Sequence, residues 1–172
     1  ETGDKLGYVP QKGVLFSGTI DSNIRYGKPE ITDAQVKEAA EVAQATEFID
    51  TKPEKYESPV SQGGTNVSGG QKQRLSIARA IAKDPEIFIF DDSFSALDFK
   101  TDSQLRKALK EYTKDATTVI VAQRISTILG ADQIIVLDDG HMAGIGTHKE
   151  LMANCEVYQQ IARSQLSEEE LA

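Results

Sequence analysis

The sequence is poor in the features that mark several large classes of protein. It holds one cysteine, Cys155, so no internal disulfide can form, and a reducing, cytosolic setting fits that usage. Only 5 prolines in 172 residues, with 39% apolar residues, argue against a disordered chain and leave material for a real core. No apolar run approaches the ~20 residues needed to span a bilayer. Basic residues are outnumbered, 19 Lys and Arg against 27 Asp and Glu, and the net charge of −8 speaks against a nucleic-acid binder. There is no signal peptide, no internal repeat and no low-complexity run, and the chain opens on Glu1 rather than Met, which reads as an excised piece. His141 and His148 lie near Glu150 with no second ligand at metal spacing, and Cys155 has no basic neighbour arranged around it. Surface histidines and a structural thiol are the plain readings.

What is present is an alternation of strand-like and helix-like stretches. Lys5 to Val9 reads as a short strand stopped by Pro10, which leaves Gln11 on a loop at a strand end. Residues 13–27 carry no clean period. Thr32 to Ile49 reads as one amphipathic helix, opened by Thr32 and Gln35 at capping-box spacing and lined by Val36, Ala39, Ala40 and Ala43. Residues 50–65, rich in Pro, Ser and Gly, read as loop. Ser68 and Gln71 repeat the capping-box spacing and open a helix lined by Leu75, Ala78 and Ala82, which ends near Asp84-Pro85.

Glu86 to Phe90 is apolar enough for a strand buried on both faces of a parallel sheet. A helix over about Thr101 to Thr113 and strands at Thr117 to Ala122 and Gln133 to Leu137 follow. Asp138-Asp139-Gly140 then reads as a hairpin turn into a strand at His141 to Ala143. Two helices close the chain, one capped by Thr147 and Glu150 and one from Glu156 to Gln165, and the tail from Ser167 reads as loosely held. This order predicts an α/β fold with a parallel sheet at its centre and a helical lobe to one side.

Two stretches carry chemistry. The central strand delivers Asp91 and Asp92 at its C-terminal end, where ligands bind in open α/β sheets. One carboxylate there can hold Mg²⁺ through water while its neighbour orients an attacking water; an acidic turn leaving a strand is the plain alternative. In Val67-Ser68-Gly69-Gly70-Gln71, two glycines at a helix start leave bare N–H groups at the positive end of the dipole, a place for phosphate. An ordinary capped helix is the plain alternative there.

Together these stretches resemble the nucleotide-binding domain of ATP-binding cassette (ABC) transporters. Ser68-Gly69-Gly70-Gln71 is similar to the family signature, and Ile87 to Asp91 to its Walker B strand. Ser95 to Asp98 is similar to the D-loop, and Gln11 in YVPQ to the Q-loop glutamine. The run LFSGTIDSNI resembles the exporter branch, in which this region faces the coupling helices of the membrane domain. The resemblance runs from about Leu6 to Leu151. It implies a partial P-loop NTPase (RecA-like) core plus an ABC helical subdomain. The implied division is 1–15 for the core strand and Q-loop, 16–84 for the helical subdomain with the signature helix, 85–166 for the RecA-like core, and 167–172 for a flexible tail.

The cofactors implied are ATP and Mg²⁺, with the fragment at the cytoplasmic face of the cell membrane. Asp91 would hold the metal through water, and Gln11 would approach metal and γ-phosphate. Ser68, Gly69, Gly70 and Gln71 would reach across a head-to-tail dimer to the partner's nucleotide, and Asp98 would couple the two sites.

Three departures qualify the resemblance. The sequence contains no G-x-x-x-x-G-K-[ST] run; Gly27-Lys28 has Ser22 where the first Gly belongs and Pro29 where the hydroxyl belongs. Since the family's Walker A segment and adenine-stacking aromatic precede the Q-loop, the resemblance places them ahead of Glu1. The chain then reads as the C-terminal two-thirds of the domain, binding ATP weakly or not at all. Asp92 stands where the family usually has Glu, one methylene longer, and Gln123 stands where its switch histidine belongs. With the signature intact, Asp92, Gln123 and Gln11 would form a slow site of the kind seen in the degenerate half of a heterodimeric exporter. The signature would complete the partner's competent site. Tolerated variants in a homodimer, a nucleic-acid-handling cassette ATPase and a non-hydrolytic dimerising module are the alternatives.

Overall fold

The computed structural model describes residues 5–171, arranged as two units, Glu1–Val121 and Ala122–Ala172. The expected segments 1–15 and 167–172 therefore extend, at 1–4 and at 172, outside the described residues.

The first unit is built on three parallel strands, β1 (Leu6–Val9), β4 (Ile87–Asp91) and β5 (Thr117–Val121), in the order β1-β4-β5. Between β1 and β4 the chain makes a helical excursion. A two-residue strand β2 (Gly18–Thr19) pairs antiparallel with β3 (Pro59–Val60), and around them lie α1 (Ile20–Ile24), α2 (Asp33–Val42), α3 (Thr46–Asp50) and α4 (Gly69–Ala82). Helix α5 (Phe99–Tyr112) joins β4 to β5. The parallel α/β arrangement is the expected one. Its core gathers Val9, Leu15 and Ile24 with Leu75, Ile77 and Ile81 of α4, Phe88 and Phe90 of β4, and Leu105 of α5. The rings of Phe88 and Phe90 stack with centroids 5.8 Å apart.

Three expectations need correction. Strand β4 is not buried on both faces among the described residues: Phe88 and Phe90 are buried, whereas Ile87 and Ile89 are only half-buried. The side chains that pair beside Ile89 and Asp91 in the register, Tyr8, Val119 and Val121, are exposed. A continuous apolar run shows that a strand is apolar, not how many of its faces are covered. The expected helix over 32–49 is two helices, because Gln44 takes the left-handed conformation (φ 60°). Ala45 N–H then bonds to Ala40 O at 2.8 Å and Gln44 N–H to Glu41 O at 3.1 Å, the pattern of a Schellman end. Residues 13–27, without a clean period, contain β2 and α1, the latter opened by a Thr19–Ser22 capping box.

The second unit contains α6 (Ile125–Ile128), the antiparallel hairpin β6 (Ile134–Asp138) and β7 (His141–Gly146), then α7 (His148–Asn154), α8 (Glu156–Gln165) and α9 (Glu168–Leu171). Asp139 (φ 49°) and Gly140 (φ 76°) turn the hairpin with both residues at positive φ, as the two-residue loop requires. Ile134, Val136, Leu151, Tyr158 and Ala162 form its core with Cys155, which is buried. Gly144 lets the hairpin approach that thiol, since a Cβ there would lie 2.8 Å from Cys155 Sγ. No helix among the described residues is long and apolar enough to cross a membrane.

Candidate functional site

Strand β4 ends by presenting Asp91 and Asp92 side by side, both half-buried. Asp92 sits in the left-handed region (φ 50°), while its N–H continues the ladder to Val121 O at 2.7 Å. The turn is then fixed to the neighbouring strand by Ser93, whose buried Oγ donates to Val9 O at 2.6 Å. Gln11, on the loop after β1, donates from Nε2 to Asp92 Oδ2 at 3.2 Å. Three of the predicted residues, Gln11, Asp91 and Asp92, are thus gathered at the C-terminal end of the sheet.

Tyr8 joins them, a residue that no motif in the sequence marks. Its hydroxyl donates to Asp91 Oδ2 at 3.1 Å, and this hydrogen bond to a carboxylate raises the phenol above its ordinary value. Tyr8 pairs with Ile89 across the sheet, so it reaches Asp91 on the diagonal. Only the register reveals that neighbour. Asp91 Oδ1 has no protein donor among the described residues. One or two carboxylate oxygens, completed by water and phosphate oxygens, are the donor set that suits Mg²⁺.

The signature stretch forms the start of α4. Ser68 is its N-cap: Oγ accepts from Gln71 N–H at 3.1 Å, and Ser68 N–H donates back to Gln71 Oε1 at 3.3 Å. The cap uses a lone pair of Oγ, so the hydroxyl hydrogen stays available for an anion. A Cβ added at Gly69 would meet nothing within 4 Å, so this tip is open. One added at Gly70 would lie 3.9 Å from Ala96 O and from Leu97 Cδ2, which places the tip beside the Ser95–Asp98 stretch. Asp98 caps α5: Oδ1 accepts from Thr101 N–H at 2.8 Å and Oδ2 from the Thr101 hydroxyl at 2.9 Å. Those bonds hold its carboxyl below the usual range.

Gln123 belongs to the second unit. Its side chain is exposed, and its carbonyl accepts from Gln165 Nε2 at 2.8 Å. Gln165 Oε1 in turn accepts from Ile125 N–H at 2.8 Å, so α8 pins the stretch that carries Gln123, a role without a sequence signal. Lys28, in the false Gly-Lys match, donates to Lys83 O at 3.2 Å.

A family model for the ABC transporter matches residues 1–95. An ABC transporter ATP-binding protein of Mycobacterium tuberculosis is 47% identical over 163 residues, 93% of this chain and 28% of that protein. A second, from Bacillus subtilis, is 45% identical over 165 residues, 96% of this chain and 28% of its own. A Staphylococcus aureus protein, named as an ATP-binding/permease protein for multidrug export, is 46% identical over 158 residues, 92% of this chain and 27% of its own. The solved structure of a bacterial Atm1-family ABC exporter with ATP bound is similar with a TM-score of 0.91 at 38% identity, over 96% of this chain and 29% of that one. The chain spans little more than a quarter of the length of these relatives. With the fold, the order of the motifs and these similarities in agreement, the chain belongs to the ABC transporter family.

Proposed function

We propose that these residues are the greater part of the nucleotide-binding motor of an exporter, coupling ATP binding and hydrolysis to transport of a substrate across a membrane. Within that motor they form the degenerate, slowly hydrolysing half of a heterodimer. The observation that carries this reading is an asymmetry: Asp92 and Gln123 replace the family's Glu and His, while the Ser68–Gln71 tip is complete and open.

ATP with Mg²⁺ supplies the transferable phosphoryl group. In this reading Asp91, steadied by Tyr8, holds the metal through water, and Gln11 reaches toward metal and γ-phosphate. Asp92 orients water poorly, being one methylene short and already bonded to Gln11. Gln123 offers a neutral donor in place of an imidazolium, a weaker hydrogen bond to phosphate. The N–H groups of Gly69 and Gly70 and the Ser68 hydroxyl serve the nucleotide of the head-to-tail partner, and Asp98 couples the two sites. Residues 16–84 act as the helical subdomain and 85–166 as part of the RecA-like core.

The membrane domain's coupling helices dock, in this reading, on Val14, Phe16 and Tyr26. All three are exposed, and the rings of Phe16 and Tyr26 stack at 4.2 Å. Such a patch at the cytoplasmic face suits an apolar partner. The net charge of −8 weighs against nucleic acid as a partner.

The test is Asp92→Glu with Gln123→His in the full-length pair. Turnover at this half is expected to rise by about tenfold or more, given that positional errors near 1 Å are worth up to ~10²-fold. Unchanged turnover and nucleotide occupancy would sink the degenerate-site reading.

A further inference from the structure

Gln73, in the second turn of α4, is buried at 2% exposure, which for a polar amide calls for partners. Both are on the loop after β1. Gln73 Nε2 donates to Pro10 O at 2.9 Å, and Gly13 N–H donates to Gln73 Oε1 at 2.8 Å. One side chain therefore clasps both ends of the turn that carries Gln11. The approach is close enough to require glycine: a Cβ at Gly13 would lie 2.8 Å from Ser76 Cβ and 3.2 Å from Gln73 Oε1.

The same helix holds the rest of the segment. Arg79 donates to Val14 O at 2.7 Å, and to Asn23 O and Oδ1 at 2.8 and 3.0 Å. Burial lowers its guanidinium below the ordinary value, and all its hydrogen-bond acceptors are neutral. A half-buried cation without an acidic partner is costly, and this one is used to grip the carbonyl oxygens of Val14 and Asn23 and the Asn23 side-chain amide, with the rings of Phe16 and Tyr26 beside it.

We propose that Gln73 is the positioning residue for Gln11. It makes the Pro10–Gly13 turn and helix α4 one rigid piece, so that Gln11, beside Asp92, moves together with the Ser68–Gly70 tip. Gln73 lies three residues from Gly70, about 4.5 Å along the axis, so a displacement of the turn is delivered within one helical turn of the tip. Assigning nucleotides to the two ends rests on the proposed function; the clasp itself does not.

The experiment is hydrogen–deuterium exchange on the full-length protein carrying Gln73→Met or Gln73→Glu. Met keeps the length and loses both bonds; Glu keeps an acceptor for Gly13 N–H and loses the donor to Pro10 O. Without nucleotide, exchange over residues 9–16 is expected to quicken at least tenfold in Gln73→Met and by less in Gln73→Glu, with residues 75–82 unchanged. With Mg²⁺ and a non-hydrolysable ATP analogue, the parent slows at both 9–16 and 66–74, and Gln73→Met keeps the slowing at 66–74 alone. Unchanged exchange over 9–16 without nucleotide, or loosening along the whole of α4, overturns the proposal. If the analogue slows neither segment in the parent, the nucleotide roles fail, while the nucleotide-free comparison still decides the clasp.

Discussion

Asp92 holds a backbone conformation that most side chains avoid. At φ 50° an ordinary Cβ crowds the following carbonyl by about 1–2 kcal/mol, and Asp is among the residues that tolerate it best. Asp92→Gly gains relief from that strain and loses chain stiffness and the Gln11 bond, so its net effect is expected within about 1 kcal/mol. Asp92→Val, branched at Cβ, is expected to destabilise by about 2 kcal/mol or more. Urea unfolding midpoints of the two variants check this, and equal effects would remove the conformational argument.

Tyr8 offers a test by pH. Its phenol is raised because the neutral hydroxyl donates to Asp91. A group raised on folding contributes stability below its unfolded value, near 10, and that contribution is lost as pH climbs through the higher folded value. Spectrophotometric titration, taken as the difference from Tyr8→Phe, is expected to show ionisation later than an ordinary tyrosine. In Asp91→Asn it should fall back toward 10.

Among the elements, the helix starts were the most legible part of the sequence. The Thr32–Gln35, Ser68–Gln71 and Thr147–Glu150 spacings each form a reciprocal capping box. Where the usual chemistry is replaced, the signal disappears. Helix α1 is capped by Thr19 with Ser22 at the position that Glu or Gln normally fills. The end of α2 is as unmarked, because its left-handed residue is Gln44 where glycine is the rule, and the apolar pattern runs on through Phe48 and Ile49. Arg74 Nη1 donates to Gln44 O at 2.9 Å, a backbone contact that survives substitution. Gln44→Gly is therefore expected to stabilise the chain by about 0.5–1 kcal/mol, measured by thermal or urea unfolding. A loss of stability would mean that the Gln44 side chain matters more than its backbone.

For the molecule as a whole, the α/β order and the paired carboxylates could be read directly, because strand and helix periods and adjacency are local. What could not be read depends on register and distant packing: Tyr8 meets Asp91 across 83 residues, and Gln73 meets Gly13 across 60. The same distinction bears on ATP. The charged groups gathered at the sheet end, Asp91 and Asp92, repel a triphosphate unless a cation intervenes, and no G-x-x-x-x-G-K-[ST] run occurs in the sequence to supply a cradle and a lysine. The Ser68–Gly70 helix start adds an attraction worth about 0.3–1 kcal/mol and at most ~2 kcal/mol. A dissociation constant of 1 mM already needs about −4.1 kcal/mol. Titration calorimetry of the 172-residue chain with Mg²⁺ and ATP is therefore expected to show no saturation in the micromolar range. Saturable micromolar binding that vanishes in Asp91→Asn would mean that these residues hold the nucleotide unaided, with the metal recruiting the phosphates to the sheet end.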